Sequence, residues 1–335
     1  MVEKMSLSGN SPWPRPQPAQ PAGGLAEHLS GSFKRAGQAK IPAPSLSALP
    51  GLRHFNLQEL GIDQDRFIKA IASSFDALPL DSYEQRERQL AYLLDKFPSE
   101  REKLVRFLPD YYSRKASLRS ISDIIGKLSN RDLGDLEDMG TFQRRGIARF
   151  EVLFNLARFP EIKRVSAGTI MQESNLCQHL SHSPRFYPEI SEGATSHSCF
   201  KQLCRLIALM AKGMNRSIYS LSVTVQQVSV LAQKDQAAMT LETISQHGAD
   251  YAVCTIPIVL DSVTVPVATV YDSQQNAIYK SRLKVGDGLF LDDRAYKHSI
   301  GPIRATADLG VRSTISFDIQ ITSLEEAESN PPASA

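Results

Sequence analysis

The sequence predicts an α+β protein in which a jelly roll of short antiparallel strands follows a helical N-terminal flank. Two observations predict this. Between Asn56 and Leu133 the apolar residues recur at helical spacing, whereas from Ser220 onward period-two alternation takes over. Several short strands joined by polar turns build a sandwich or barrel, and helices placed ahead of them form a separate layer.

Taken in order, residues 1–52 are dominated by Pro, Ser, Gly, Ala and Gln, as in the run Ser11–Pro18. Such a segment buries too little apolar surface to offset the entropy of ordering and is expected to be a disordered arm. Residues 53–140 carry Phe67, Ile68, Ile71 and Phe75, then Leu90, Leu93, Leu94 and Phe97, spaced as helix faces that pack on the core. Asp81 and Ser99 stand at expected helix starts, and the charges from Glu84 to Arg88 read as a solvated helix face. Residues 141–322 hold the strands: Leu221–Val230, Tyr251–Leu260, Val265–Tyr271 and Arg312–Ile321, with a helix over Cys199–Met214 and a tight turn at Gly286–Gly288. Residues 323–335, with Glu325, Glu326, Glu328 and then Pro331 and Pro332, are expected to be a disordered acidic tail.

Composition excludes several classes. The chain of 335 residues has a formal net charge of +2, too near neutral to imply a nucleic-acid or acidic-membrane partner. No apolar stretch reaches the length of a membrane span, and the first residues lack the apolar run of a secretory signal. Cys177, Cys199, Cys204 and Cys254 match neither a zinc finger nor a disulfide framework, so reduced thiols in a cytoplasmic compartment are expected. His179 and His182, three residues apart, do not make up a recognised metal-ligand pattern and read as loop histidines.

One pattern carries chemistry. The segment Leu283–Ile303, containing His298, is followed by Gly310–Asp318, containing Arg312; upstream lie Gly248–Ile256 and the Arg-rich Phe142–Phe150. In this order the segments resemble the isoleucine-hydroxylase-type branch of the iron(II)/2-oxoglutarate dioxygenases, whose core is a double-stranded β-helix, a cupin-like jelly roll. The resemblance implies iron(II) and 2-oxoglutarate as cofactors and a small-molecule substrate, a free amino acid or similar carboxylate, that is hydroxylated, desaturated or cyclised. Two histidines and a carboxylate on one face leave iron(II) with open positions for the keto acid and dioxygen. Carried over residue by residue, His298 is a metal ligand, and Arg312 with Thr314 binds the keto acid, a planar guanidinium matching a carboxylate and the hydroxyl lying on the same side of a strand. Arg145 and Arg149 are candidates for the substrate carboxylate, with a solvated basic face beside Glu151 as the alternative.

The sequence departs from the family at the first half of its metal motif. Where the family has His-x-Asp-Gly, this chain has Ser245, Gln246, His247 and Gly248. Three outcomes stay open: His247 and His298 bind iron with Asp250 as a displaced carboxylate, although three residues along a strand turn it to the other face unless a bulge intervenes; the two histidines with solvent or an anion complete the site; or metal binding is weak or lost. The family's Gly-Gly pair after the next strand is missing from Val263–Val267. A catalytically inactive jelly-roll binding protein derived from the family is the second reading, since fold alone does not imply function.

Overall fold

The computed structural model describes residues 49–155, 160–168, 170–172, 183–234, 237–238 and 248–322. The expected arm up to residue 48, the acidic tail, Cys177, His179, His182, Ser245 and His247 all lie outside the described residues. All described elements belong to the unit Ala43–Ala335.

In chain order these are β1 (Leu52–Asn56), α1 (Gln64–Asp76), α2 (Ser82–Lys96), α3 (Arg101–Tyr112), α4 (Ser122–Ile125), α5 (Asn130–Glu137), β2 (Gln143–Leu153), β3 (Glu161–Val165), β4 (Ile170–Gln172) and β5 (Ser183–Arg185). Then follow α6 (Glu192–Ser196), α7 (Ser198–Met214), β6 (Ser220–Gln233), β7 (Ala237–Ala238), β8 (Tyr251–Asp261), β9 (Val267–Tyr271), β10 (Ala277–Arg282), β11 (Asp287–Asp292), β12 (Lys297–Ile300), β13 (Ile303–Arg304) and β14 (Leu309–Ile321). A seven-stranded sheet in the order β1-β11-β8-β14-β6-β2-β3 faces a smaller sheet, β10-β9-β12, with β13 paired to β7 beside it. Pairing in all of these is antiparallel, as the period-two pattern requires.

The large sheet has two unlike faces. On its convex side Ile315, Phe317 and Ile319 of β14 and Val223 and Val225 of β6 pack under α1 and α7. Helix α1 buries Phe67, Ile71 and Phe75, the residues its spacing selected, and α7 buries Phe200, Leu203 and Ile207. On the concave side Ala252 and Cys254 of β8 and Leu289 and Leu291 of β11 meet Ala268 and Val270 of β9 across the space between the sheets. The far end of this concave face, at Ile147 of β2, is closed by Tyr83 of α2, Tyr111 and Tyr112 of α3, and Tyr187.

Three expectations need correction. Strand β1 falls where arm gives way to helices: Leu52 and Phe55 are buried, and the strand forms the edge of the large sheet against β11. Five residues with only two apolar anchors are too short a pattern to announce a strand, and the Phe55 ring fits because Gly288 opposite it has no side chain. The charged run on α2 is no solvated face, because Glu84 and Glu87 are 8% and 4% exposed. Glu84 accepts from Thr141, and Glu87 pairs with Arg185 at 2.7 Å, a buried pair whose disruption costs about 3–5 kcal/mol. Finally, Asp81 caps α2 as expected, accepting from the Tyr83 and Glu84 amides, but Ser99 makes no cap; α3 starts after a short 3-10 turn at Pro98–Glu100.

The turn before β11 is as the glycines predicted. Gly286 takes φ +84°, and the Asp287 amide donates back to the Lys284 carbonyl at 3.0 Å.

Candidate active site

The strand registers place the candidate residues. On β14, Arg312, Thr314, Ser316 and Asp318 alternate with the convex Ile315 and Phe317, so all four side chains belong to the concave face. Across the ladder to β6 they stand opposite Val230, Val228, Gln226 and Thr224; one strand further, β2 brings Gln143, Arg145, Ile147 and Arg149 into the same rows. The result is a floor of polar and cationic side chains beneath the smaller sheet and the helical cap.

Arg312 is 3% exposed, and its Nη2 donates to Thr255 Oγ1 at 3.3 Å. Thr314, 8% exposed, lies two residues along on the same face, and its hydroxyl leans on the Val228 carbonyl at 3.5 Å. His298 sits on β12 opposite Val270 of β9 and is 1% exposed. Its strand neighbour on that face, Ile300, and its partner Val270 both belong to the apolar cluster between the sheets, so the imidazole faces inward.

Arg145 is buried at 7% exposure, its Nε 3.6 Å from Asp81 Oδ2, its Nη1 donating to Gln226 Oε1 at 3.3 Å, and its guanidinium 5.2 Å from the centre of the Tyr187 ring. The solvated-face alternative therefore fails for Arg145. Burial, with the Arg145 cation working against it and Asp81 for it, pushes the Tyr187 phenol up to about 12, which keeps it protonated as a donor at neutral pH. Arg149 is half-buried further along the same face and donates from Nε to Thr224 Oγ1 at 3.4 Å. Glu151 faces Lys163 of β3 in the ladder.

Asp250 has other work. Its Oδ2 accepts from the Ile321 amide at 2.6 Å and its Oδ1 lies 3.4 Å from Arg294, so the carboxylate closes the ends of β8 and β14 together. Beside it, Asp293, fully buried, accepts from the Ala249 amide at 3.1 Å while its own amide donates to the Asp250 carbonyl. This clasp was not visible in the sequence. It joins residue 249, two positions past His247 in the chain, to residue 293, five positions before His298.

Two facing antiparallel sheets with helices packed on them make a core consistent with a jelly-roll-like dioxygenase fold. A family model described as 2OG-Fe dioxygenase matches residues 134–318, and the chain belongs to that family. Among solved structures, a bsmA homolog from Methylobium petroleophilum PM1 is similar in fold, with a TM-score of 0.57 and 13% identity over 86% of this chain and 93% of that one. IDO from Bacillus thuringiensis aligns with a TM-score of 0.42 and 10% identity over 54% of this chain and 78% of that one. No curated protein matches the chain.

Membership makes the protein a 2-oxoglutarate-dependent dioxygenase with iron(II) and 2-oxoglutarate as its cofactors. The described residues fit the keto acid: a guanidinium shielded from water, flanked by the hydroxyls of Thr255 and Thr314, suits a carboxylate terminus. For iron they offer the His298 imidazole. Among the described residues no three His, Cys, Asp or Glu side chains gather as a metal cluster, and the positions of the family's first motif lie outside them. The helices described include none long and apolar enough to cross a membrane.

Proposed function

We propose that this dioxygenase oxidises a free amino acid or a similarly small carboxylate, in the manner of the isoleucine-hydroxylase type. His298 and His247 hold the iron, Arg312 and Thr314 hold the distal carboxylate of 2-oxoglutarate, and Arg145 and Arg149 face the carboxylate of the substrate. Asp250 is not counted as a ligand, since its carboxylate is taken up by Ile321 and Arg294. The observation that carries the reading is the convergence of a buried imidazole and a buried guanidinium on the space between the two sheets.

When bound, the metal supplies dioxygen activation, coupled to oxidative decarboxylation of 2-oxoglutarate to succinate and carbon dioxide. The chain's own residues do the rest. Arg312 is preorganised by its bond to Thr255, so it meets the keto acid without first ordering its side chain. Tyr83, Tyr112 and Tyr187 wall off the β2 end of the floor, which keeps bulk water from Arg145 and strengthens its pull on an anion.

Anaerobic titration of iron(II) into the protein with 2-oxoglutarate, followed by the visible metal-to-ligand absorption band, tests this. The band is expected in the wild type and lost in His298→Ala. A band that persists unchanged without His298, or none in the wild type under conditions where a family member gives one, sinks the assignment.

A further inference from the structure

The helical cap carries a pair of cations to which the roles above assign nothing. On α2, Ser82 and Arg86 are four residues apart and so lie on one face of the helix. Arg114, just past the end of α3, reaches across to that face, where its Nη2 donates to Ser82 Oγ at 2.5 Å. Arg86 is held by contacts of its own. Its Nη1 donates to the Tyr112 carbonyl at 3.2 Å, and its guanidinium lies 5.3 Å from the centre of the Tyr111 ring. Two guanidinium groups therefore share one side of α2.

Like charges held on one face cost free energy unless an anion lies between them. Burial, followed by the Arg114 charge, holds the Arg86 guanidinium below the ordinary arginine range, although it stays cationic at neutral pH. No described carboxylate lies within ion-pairing distance of either arginine. The acidic neighbours on α2 are engaged elsewhere: Asp81 accepts from the Tyr83 and Glu84 amides and lies 3.6 Å from Arg145, and Glu87 pairs with Arg185 at 2.7 Å. Because Asp81 takes those amides, the helix end itself is not the receptor.

The donors identify the ligand. Both guanidinium groups retain further N–H donors, and Ser82 accepts from Arg114, so its own O–H remains to donate. Three donor groups, two of them cationic, suit a group with three terminal oxygens and about two negative charges. A carboxylate offers only two oxygens and one charge. We propose that Arg86, Arg114 and Ser82 form a binding site for a phosphate monoester. Arg114 is exposed and Ser82 half-buried, so the ester substituent has a way out to solvent. The site adjoins the tyrosines that close the β2 end of the concave floor, since Arg86 stacks on Tyr111 and Ser82 precedes Tyr83. It is separate from Arg312 and does not depend on which substrate is oxidised.

The test uses the full chain, held anaerobically with iron(II) and 2-oxoglutarate and titrated calorimetrically with methyl phosphate and, separately, with acetate at low ionic strength. The wild type is expected to bind methyl phosphate at one site, and acetate at least about tenfold more weakly. Arg114→Gln, a change at an exposed residue, is expected to weaken methyl phosphate binding by at least about tenfold. Ser82→Ala keeps both charges and is expected to weaken it only a few-fold. Arg312→Gln is expected to leave it unchanged. No binding by the wild type, or acetate bound as tightly as methyl phosphate, overturns the proposal without any variant having to fold. Undiminished binding in Arg114→Gln overturns it too, and loss in Arg312→Gln instead would place the phosphate in the keto-acid site.

Discussion

The two faces of the large sheet come from the same strands and have opposite compositions. Along β14 the convex Ile315, Phe317 and Ile319 are all fully buried beneath helices, while the concave Arg312, Thr314, Ser316 and Asp318 line the space beneath the smaller sheet. The convex face gains its free energy from removing apolar area from water. The concave face costs free energy to bury and recovers it only through hydrogen bonds such as those joining Arg145, Gln226 and Asp318. One face is therefore stabilised by apolar burial, and the other by the pairing of its polar groups.

The sharpest test of this division is to damage each face separately. Phe317→Ala is expected to lower stability by about 3–5 kcal/mol in denaturant unfolding, with 2-oxoglutarate affinity unchanged in the fraction that remains folded. Arg312→Gln is expected to weaken 2-oxoglutarate binding by roughly ten- to a hundredfold while moving the unfolding midpoint far less than Phe317→Ala does. Calorimetry and urea melts on both variants settle the point. Should Arg312→Gln unfold the protein as readily as Phe317→Ala, the two faces would be equally structural and the division would be lost.

A smaller effect refines the boundary where the helical cap meets the floor. Burial, aided by Asp81 and opposed by Thr141, Arg88 and the Phe142 backbone, holds the Glu84 carboxyl above its ordinary value of 4.5. The native state therefore keeps this proton more tightly than the unfolded chain does. Its contribution to stability is full below the unfolded value and is lost as pH rises through the higher folded one. Glu84→Gln, neutral at every pH, should flatten that part of the profile. Urea midpoints measured from about pH 4 upward should fall less steeply in the variant, and the two profiles would run parallel if Glu84 contributed nothing.

The convex face was legible because its signal is periodic. Phe67, Ile71 and Phe75 in α1, the helix over Cys199–Met214 and the alternation in β6 and β14 each specify which side goes inward, and the structure follows them within a few residues. The concave face was legible only where family resemblance picked out Arg312, Thr314, Arg145 and Arg149, with His298 on the smaller sheet opposite. Gln226 and Asp318 escaped notice because a polar residue on an alternating strand reads the same whether it faces solvent or an enclosed floor. Glu84 and Glu87 were misread for the same reason: their hydrogen-bond donors, Thr141 and Arg185, lie 57 and 98 residues away in sequence. Asp293 and Asp250, which accept from the Ala249 and Ile321 amides, act through backbone groups that no side-chain pattern announces.

The edge strand β1 has a practical consequence for anyone dividing the gene. The family-matched segment begins at residue 134, yet β1 completes the sheet beside β11 and α1 roofs the convex core, both from residues before 77. A clone cut at the family boundary would leave β11 with an unpaired backbone and Phe290 without its cover, an invitation to self-association. Expression trials should therefore keep the chain from at least residue 49, since the sheet that carries the C-terminal strands is finished by the N-terminal half.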